Sequence, residues 1–505
     1  MSQNRRALFF IILFIAICLR FFYLDKGYNS DEGWLLNTSQ LDLSGLIPFL
    51  AEVRGGVYPP LSPFLLHFWV KMDNAEVWVR SYFVIFGIAS SILVYNLGKL
   101  YLDERFGLTA FLFSAVSPLL IWSSQFVRSY IDSAFWAILS VYFMMRILKT
   151  SNSWRNSFGY IISSALALYS SYLNIFILIS QSIFIFVFYF KDLRFLKKWL
   201  TLQILIAIIF APCLLLFFKQ LKLATAIDPK WGERGFQLFG INIGYHARSV
   251  IAMLGMDPGF LTMHPLTQKF NKVALAGIAG ATFCVIGWLF IGAFKNLGRI
   301  FKEKRLIWFF PVISVSALIL YDILVEVMNF PFQPEYFISQ HVLFIFVISA
   351  VFYSTKKINK LNVIAVVFIL LIFIGRYQDA VKPEFETKKA YSYLAGNTKT
   401  TDCLLMVRNT NRYIDSKTFN IIIMDDYMYR KSYADYYKPL DDKARAVLSE
   451  VRDKYKDVWF YRSYGNDELL GANKLIISWF QENGYTMVDI KRFKRIDIVR
   501  YRRPN

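Results

Sequence analysis

Long apolar runs separated by short polar ones set the pattern of this chain. About eleven segments approach the roughly 20 residues that carry a helix across a bilayer. They are 7–24, 79–99, 107–122, 131–148, 157–170, 172–190, 199–218, 272–294, 305–328, 336–353 and 361–376. The first, ALFFIILFIAICLRFFYL, follows Arg5 and Arg6 but has no small-residue cleavage site, so it reads as a retained helix rather than a signal peptide. Past residue 376 the period changes. DCLLMVRN, FNIIIMDD and DVWFYRSY read as strands, ANKLIISWFQENG as a helix, and YTMVDIKRFKRIDIVRYRR as two strands around a basic turn. The expected fold is a polytopic α-helical membrane protein of about 11 transmembrane helices, with helices in its extracytoplasmic loops and a small C-terminal α/β domain. The expected division is 1–376 for the membrane domain and 377–505 for the domain that follows it.

Composition agrees with the pattern. The chain is 56% hydrophobic and 18% charged, fewer charges than a soluble protein of 505 residues carries. Its net charge of +21 invites a nucleic-acid reading, but the basic residues sit in short groups between the apolar runs rather than along one face. With the N-terminus in the cytoplasm, KLYLDERFG, RILKTSNSWRN, KDLRFLKK, KNLGRIFKEKR and STKKINK all fall on the inner side, as the positive-inside rule requires. The partner implied is therefore a lipid bilayer (the inner or plasma membrane), with no nucleic acid. An odd number of spans places loops 25–78 and 219–271 and the C-terminal region together on the outer side. The four cysteines and four histidines show neither disulfide pairing nor ligand spacing, so no metal or other cofactor is indicated.

Three polar features stand where a membrane protein has little reason to place them. Asp31 and Glu32, in YNSDEGW, follow directly after the first apolar run. They read either as carboxylates at the N-terminus of a helix starting EGWLLNTSQL or as a general base held where a lipid-borne substrate meets water. Arg54 precedes Gly55-Gly56 and Pro59-Pro60 in AEVRGGVYPPLSPFLLHFW. Its forked donors match phosphate oxygens, though an arginine there can also snorkel to headgroups. Arg128, in SPLLIWSSQFVRSYIDSAFW, is the basic residue of a short outer loop, against the topological grain. It reads as an anion holder or as a structural charge.

Taken in order, SDEGW, YPPLSPFLLHFW and the stretch from AEVWVRSYF to SSQFVRSYIDS resemble the GT-C integral-membrane glycosyltransferases that use polyprenyl-phosphate sugars. The branch resembled contains protein O-mannosyltransferases and the lipid A aminoarabinose transferase, and the likeness is fullest over 29–149. It implies inverting transfer of a hexose or pentose from a polyprenyl-phosphate donor to an extracytoplasmic glycan, lipid or protein. Asp31 would be the catalytic base, with Glu32 supporting it. Arg54 and Arg128 would hold the donor phosphate, and Tyr58, Gln125 and Tyr130 would contribute to the substrate pocket. The chain departs from the family pattern at Tyr58, where relatives carry His, at Val127, often Glu, and at Glu335 before Tyr336, where Arg-Tyr is common. Two other functions compete. A lipid-linked sugar transporter or flippase would need charged residues or broken helices near the midplane, and paired repeats, and the sequence shows neither; an inactive scaffold would recruit polysaccharide-assembly partners.

Overall fold

A computed structural model describes residues 3–28, 30–52, 57–149, 153–227, 304–328, 334–353, 386–399, 401–406, 420–424, 442–463, 467–494 and 496–504, a few of them, Asp31 included, in backbone only. Arg54, His246 and His264 and the predicted spans 272–294 and 361–376 lie outside the described residues. The remainder is mostly helical. Helix α1 (Gln3–Phe21) leads to three shorter helices, α2 (Ser30–Gln40), α3 (Leu43–Ala51) and α4 (Leu61–Met72). Then come α5 (Glu76–Tyr101), α6 (Glu104–Val116), α7 (Pro118–Gln125), α8 (Ile131–Lys149), α9 (Trp154–Ser170), α10 (Ile175–Tyr189) and α11 (Leu193–Ile227). Helices α12 (Phe309–Met328) and α13 (Ile338–Tyr353) complete the apolar part. Among the described residues five helices are long and apolar enough to cross a membrane, and six if a bent pair counts as one. Large apolar side chains such as Phe14 and Leu215 point outward, which is unfavourable in water and favourable against lipid.

That bent pair is α6 and α7, where the sequence predicts one continuous span. The two helices meet at 58°. Pro118 opens α7 and Ser117 caps it, its hydroxyl accepting from the Leu120 amide. A proline has no N–H to continue α6 and disfavours helical geometry in the residue before it. Close packing holds the first half in place. A Cβ at Gly107 of α6 would sit 2.6 Å from the Tyr95 carbonyl of α5, so only glycine admits this approach.

The C-terminal residues build a five-stranded mixed sheet in the order β2-β1-β3-β5-β4. Its strands are β1 (Cys403–Met406), β2 (Asn420–Ile423), β3 (Asp457–Ser463), β4 (Thr486–Phe493) and β5 (Ile496–Arg502). β1 runs parallel to β2 and β3, and β5 pairs antiparallel with both β3 and β4. Alternation along β3 splits its side chains between two layers. Val458 and Phe460 pack under helices α15 (Asp442–Lys454) and α16 (Asp467–Glu482), whereas Trp459 and Tyr461 pack with Ala390, Tyr391 and Leu394 of α14 (Thr387–Asn397).

Candidate active site

The site is built around the chain that leaves α1. Residues 22–28 carry no regular structure, and their carbonyls converge on one guanidinium from α5. Arg80, fully buried, donates through Nε to the Gln125 carbonyl at 3.0 Å and through Nη1 to the carbonyls of Leu24 (3.1 Å) and Lys26. Its Nη2 reaches the Gly27 carbonyl at 3.3 Å and Glu32 Oε1 at 2.8 Å. The guanidinium also lies 4.6 Å from the Tyr28 ring centroid. A buried arginine is tolerated when such acceptors surround it. Sequence reading did not single Arg80 out. The signal was a basic residue at the outer end of the predicted span 79–99, against the positive-inside grain.

Helix α2 starts at Ser30, so Asp31 and Glu32 both stand in its first turn, where free N–H groups and the helix dipole favour negative charge. Glu32 is buried. Besides Arg80 it accepts the Val127 amide at 3.2 Å, which ties α2 to the loop between α7 and α8. At the other end of α2 the Ser39 carbonyl lies 2.9 Å from His67 Nδ1, on α4. The Ser39 oxygen can only accept, so this nitrogen carries the proton. The helix bearing Asp31 is thus held at both ends.

One turn beyond Asp31, Trp34 meets the second candidate cation. The Arg128 guanidinium lies 5.3 Å from the Trp34 ring centroid and 4.8 Å from that of Tyr58, and the two rings are 4.8 Å apart. Arg128 is 6% exposed, and its neighbourhood includes Tyr130, Glu335 and Tyr336. Arginine over aromatic faces keeps its donors at the edge of the stack, where they can meet phosphate oxygens. Tyr130 stacks on Phe126 and Trp122, and the Tyr58 carbonyl accepts from Gln220 Nε2 of α11 at 3.0 Å.

Gln125 lies apart from that stack. Its amide nitrogen donates to the carbonyls of Arg20 (3.0 Å) and Phe22 (2.9 Å) at the end of α1, and its oxygen accepts Lys26 Nζ at 3.1 Å. It closes the C-terminus of α1 as a cap. Lys26, part-buried in the same loop, loses basicity through burial first and the adjacent Arg80 second, with Glu32 opposing, and its ammonium comes down to about 8.

Two further buried charges fall inside predicted spans. Arg20 of α1 donates to the carbonyls of Ser114 and Ala115, both at 2.9 Å, and to Ser124 and Ser91 hydroxyls. The Ser114 carbonyl is the one that would take an amide proton from residue 118, which is proline. Asp132 of α8 accepts the Ser62 hydroxyl and the Ser133 amide. Among the described residues no cluster of three or more His, Cys, Asp or Glu side chains is arranged to hold a metal.

Residues 57–216 match the family model described as dolichyl-phosphate-mannose-protein mannosyltransferase. No curated protein sequence matches the chain significantly. Among solved structures, ArnT from Cupriavidus metallidurans in the apo state aligns over 99% of this chain and 98% of its own, at 10% identity and a TM-score of 0.56. The same protein bound to undecaprenyl phosphate aligns with 11% identity, the same coverage and a TM-score of 0.56. The apo oligosaccharyltransferase of Archaeoglobus fulgidus covers 90% of this chain with 69% of its own, at 14% identity and a TM-score of 0.52. Both kinds of match are to GT-C glycosyltransferases, and the chain has their fold.

Proposed function

We propose that this GT-C chain transfers a sugar from a polyprenyl-phosphate donor to an extracytoplasmic acceptor, with inversion at the anomeric carbon. The observation that carries the reading is the sharing of α2. One helix presents Asp31 in its first turn and, a turn later, the Trp34 face against which Arg128 rests. In this reading one short helix carries both the base and the aromatic face against which the anion holder, from the loop between α7 and α8, rests. ArnT bound to undecaprenyl phosphate supplies the donor class by likeness.

Asp31 removes the proton of an acceptor hydroxyl as its oxygen attacks the anomeric carbon. The bond from that carbon to the phosphate oxygen breaks, and polyprenyl phosphate leaves with the electron pair. Arg128, with Arg54 beside it in this proposal, stabilises the charge that grows on the leaving phosphate. Glu32 is committed to Arg80 and the Val127 amide, so its role is to hold the first turn of α2 rather than to move a proton. The topology proposed has about eleven spans, a cytoplasmic N-terminus and an extracytoplasmic C-terminal domain from residue 377, following the basic loops. Arg20 and Asp132 are engaged by carbonyls and hydroxyls of the bundle, which favours structural roles over an ion pathway.

The test uses purified full-length protein with undecaprenyl phosphate carrying a hexose or a pentose. Release of undecaprenyl phosphate on adding acceptor is the expected result. Asp31→Asn should still bind donor and lose turnover, and its full activity would overturn the base assignment. Arg128→Ala should lower the rate by about 10²–10³, the loss seen when one donor to a developing oxyanion is removed.

A further inference from the structure

We propose that Thr387 is a positioning residue for the first turn of α2, so that the C-terminal sheet takes part in setting the catalytic geometry. The proposal deepens the reading above and rests on Asp31 being the base. Thr387 is 3% exposed, and its hydroxyl donates to the Tyr28 carbonyl at 3.1 Å. Tyr28 stands three positions before Asp31, in the stretch that enters α2. The approach is close enough to need glycine beside it. A Cβ at Gly27 would lie 2.4 Å from Thr387 Oγ1 and 3.3 Å from the Lys388 nitrogen.

Thr387 is itself anchored to the sheet. Glu386, just before it, donates its amide to the Lys494 carbonyl at 3.3 Å, and its Oε2 accepts the Lys494 amide at 3.0 Å, at the turn joining β4 to β5. Behind it, Ala390, Tyr391 and Leu394 pack α14 onto the sheet. A continuous path of buried contacts therefore runs from sheet to α14 to Tyr28. Lys388 adds contacts to the Asp25 carbonyl at 3.1 Å and to Glu76 at 3.3 Å, but it is half exposed and contributes little. Arg80 grips the same loop from the bundle side. The far end of α2 is held by His67 at the Ser39 carbonyl, so releasing Thr387 loosens the first turns and leaves that end in place.

The expected signature is a loss in kcat without a matching change in donor KM. With the undecaprenyl-phosphate sugar that turns over, Thr387→Val should lower kcat about fivefold, the equivalent of one net hydrogen bond, and Thr387→Ser should restore it. Gly27→Ala should lose more, by pushing a methyl onto the hydroxyl. The Gly27→Ala/Thr387→Ala double variant should return to the level of Thr387→Ala alone. A double variant equal to the sum of its parts, or wild-type kcat in Thr387→Val, overturns the proposal. Hydrogen exchange keeps the two readings separable. Thr387→Val should speed exchange in residues 25–36 whatever the identity of the base. Unchanged exchange there also overturns it, whereas a fully active Asp31→Asn with faster exchange in Thr387→Val removes the base assignment and leaves the positioning role standing.

Discussion

Arg80 illustrates what one side chain can organise. Four carbonyls and one carboxylate from three separate stretches of chain use the same guanidinium. Breaking a buried pair from one side leaves the other charge unpaired, which costs about 3–5 kcal/mol. Arg80→Met should therefore lower the thermal midpoint in detergent sharply, and adding Glu32→Gln should recover part of the loss. Arg80→Lys should not rescue, because an ammonium cannot span the fork of acceptors. Lys26 gives a pH test at the same scale. The unfolded lysine keeps its proton to near 10.5 and the folded one only to about 8, so the unfolded state binds more protons between those values. Stability should rise with pH through that window, and a melting series from pH 7.5 to 9.5 should lose part of that rise in Lys26→Met. Glu32 and Arg128, which the structure places in one neighbourhood around α2, stood out in the sequence because each follows or interrupts an apolar stretch. The carbonyl partners of Arg80 did not, since they lie 45 to 56 positions away and are backbone, which has no sequence signature.

At the scale of elements, the break between α6 and α7 shows how a helix defect recruits a charge. The sequence marks Pro118 but predicts a single span, because hydropathy averages across a kink. What the break exposes is a pair of carbonyls, and Arg20 of α1 is positioned to take them. Each buried carbonyl left without a donor costs about 1–3 kcal/mol. Arg20→Leu should accordingly destabilise the bundle. The Arg20→Leu/Pro118→Ala double variant should be less destabilised than the two single effects summed, since alanine restores an N–H for Ser114. Additive effects in thermal unfolding would show that the arginine does not serve the break.

For the molecule as a whole, the question is how a sheet and a helical bundle act on one site. Among the described residues, Thr387 and Lys388 join them through the Tyr28 and Asp25 carbonyls, and Glu386 ties that segment to the sheet at Lys494. The Lys389 ammonium and the Lys494 amide hold the Glu386 carboxyl below its ordinary range. A depressed carboxylate stabilises above its unfolded pKa, and that contribution is lost as pH falls through the folded value. Protection of the α14 amides, corrected for the intrinsic slowing of exchange at lower pH, should therefore fall on acidification while that of α5 holds. Glu386→Gln should remove the pH-dependent part of that change.

The sequence by itself determined the membrane class, the helical segments that hydropathy can see, the alternation that puts Val458 and Trp459 on opposite faces of β3, and the acids and arginines worth testing. These follow from local rules: length against bilayer thickness, a period of two in strands, and charge in the wrong solvent. The tertiary structure decided which of those groups are engaged. It committed Glu32 to Arg80, turned Gln125 into a cap for α1, set Arg128 on Trp34, and brought Thr387 to a loop 359 positions away. Such pairings depend on which backbone and aromatic surfaces meet after packing, and a buried carbonyl looks the same in every sequence until a donor arrives beside it.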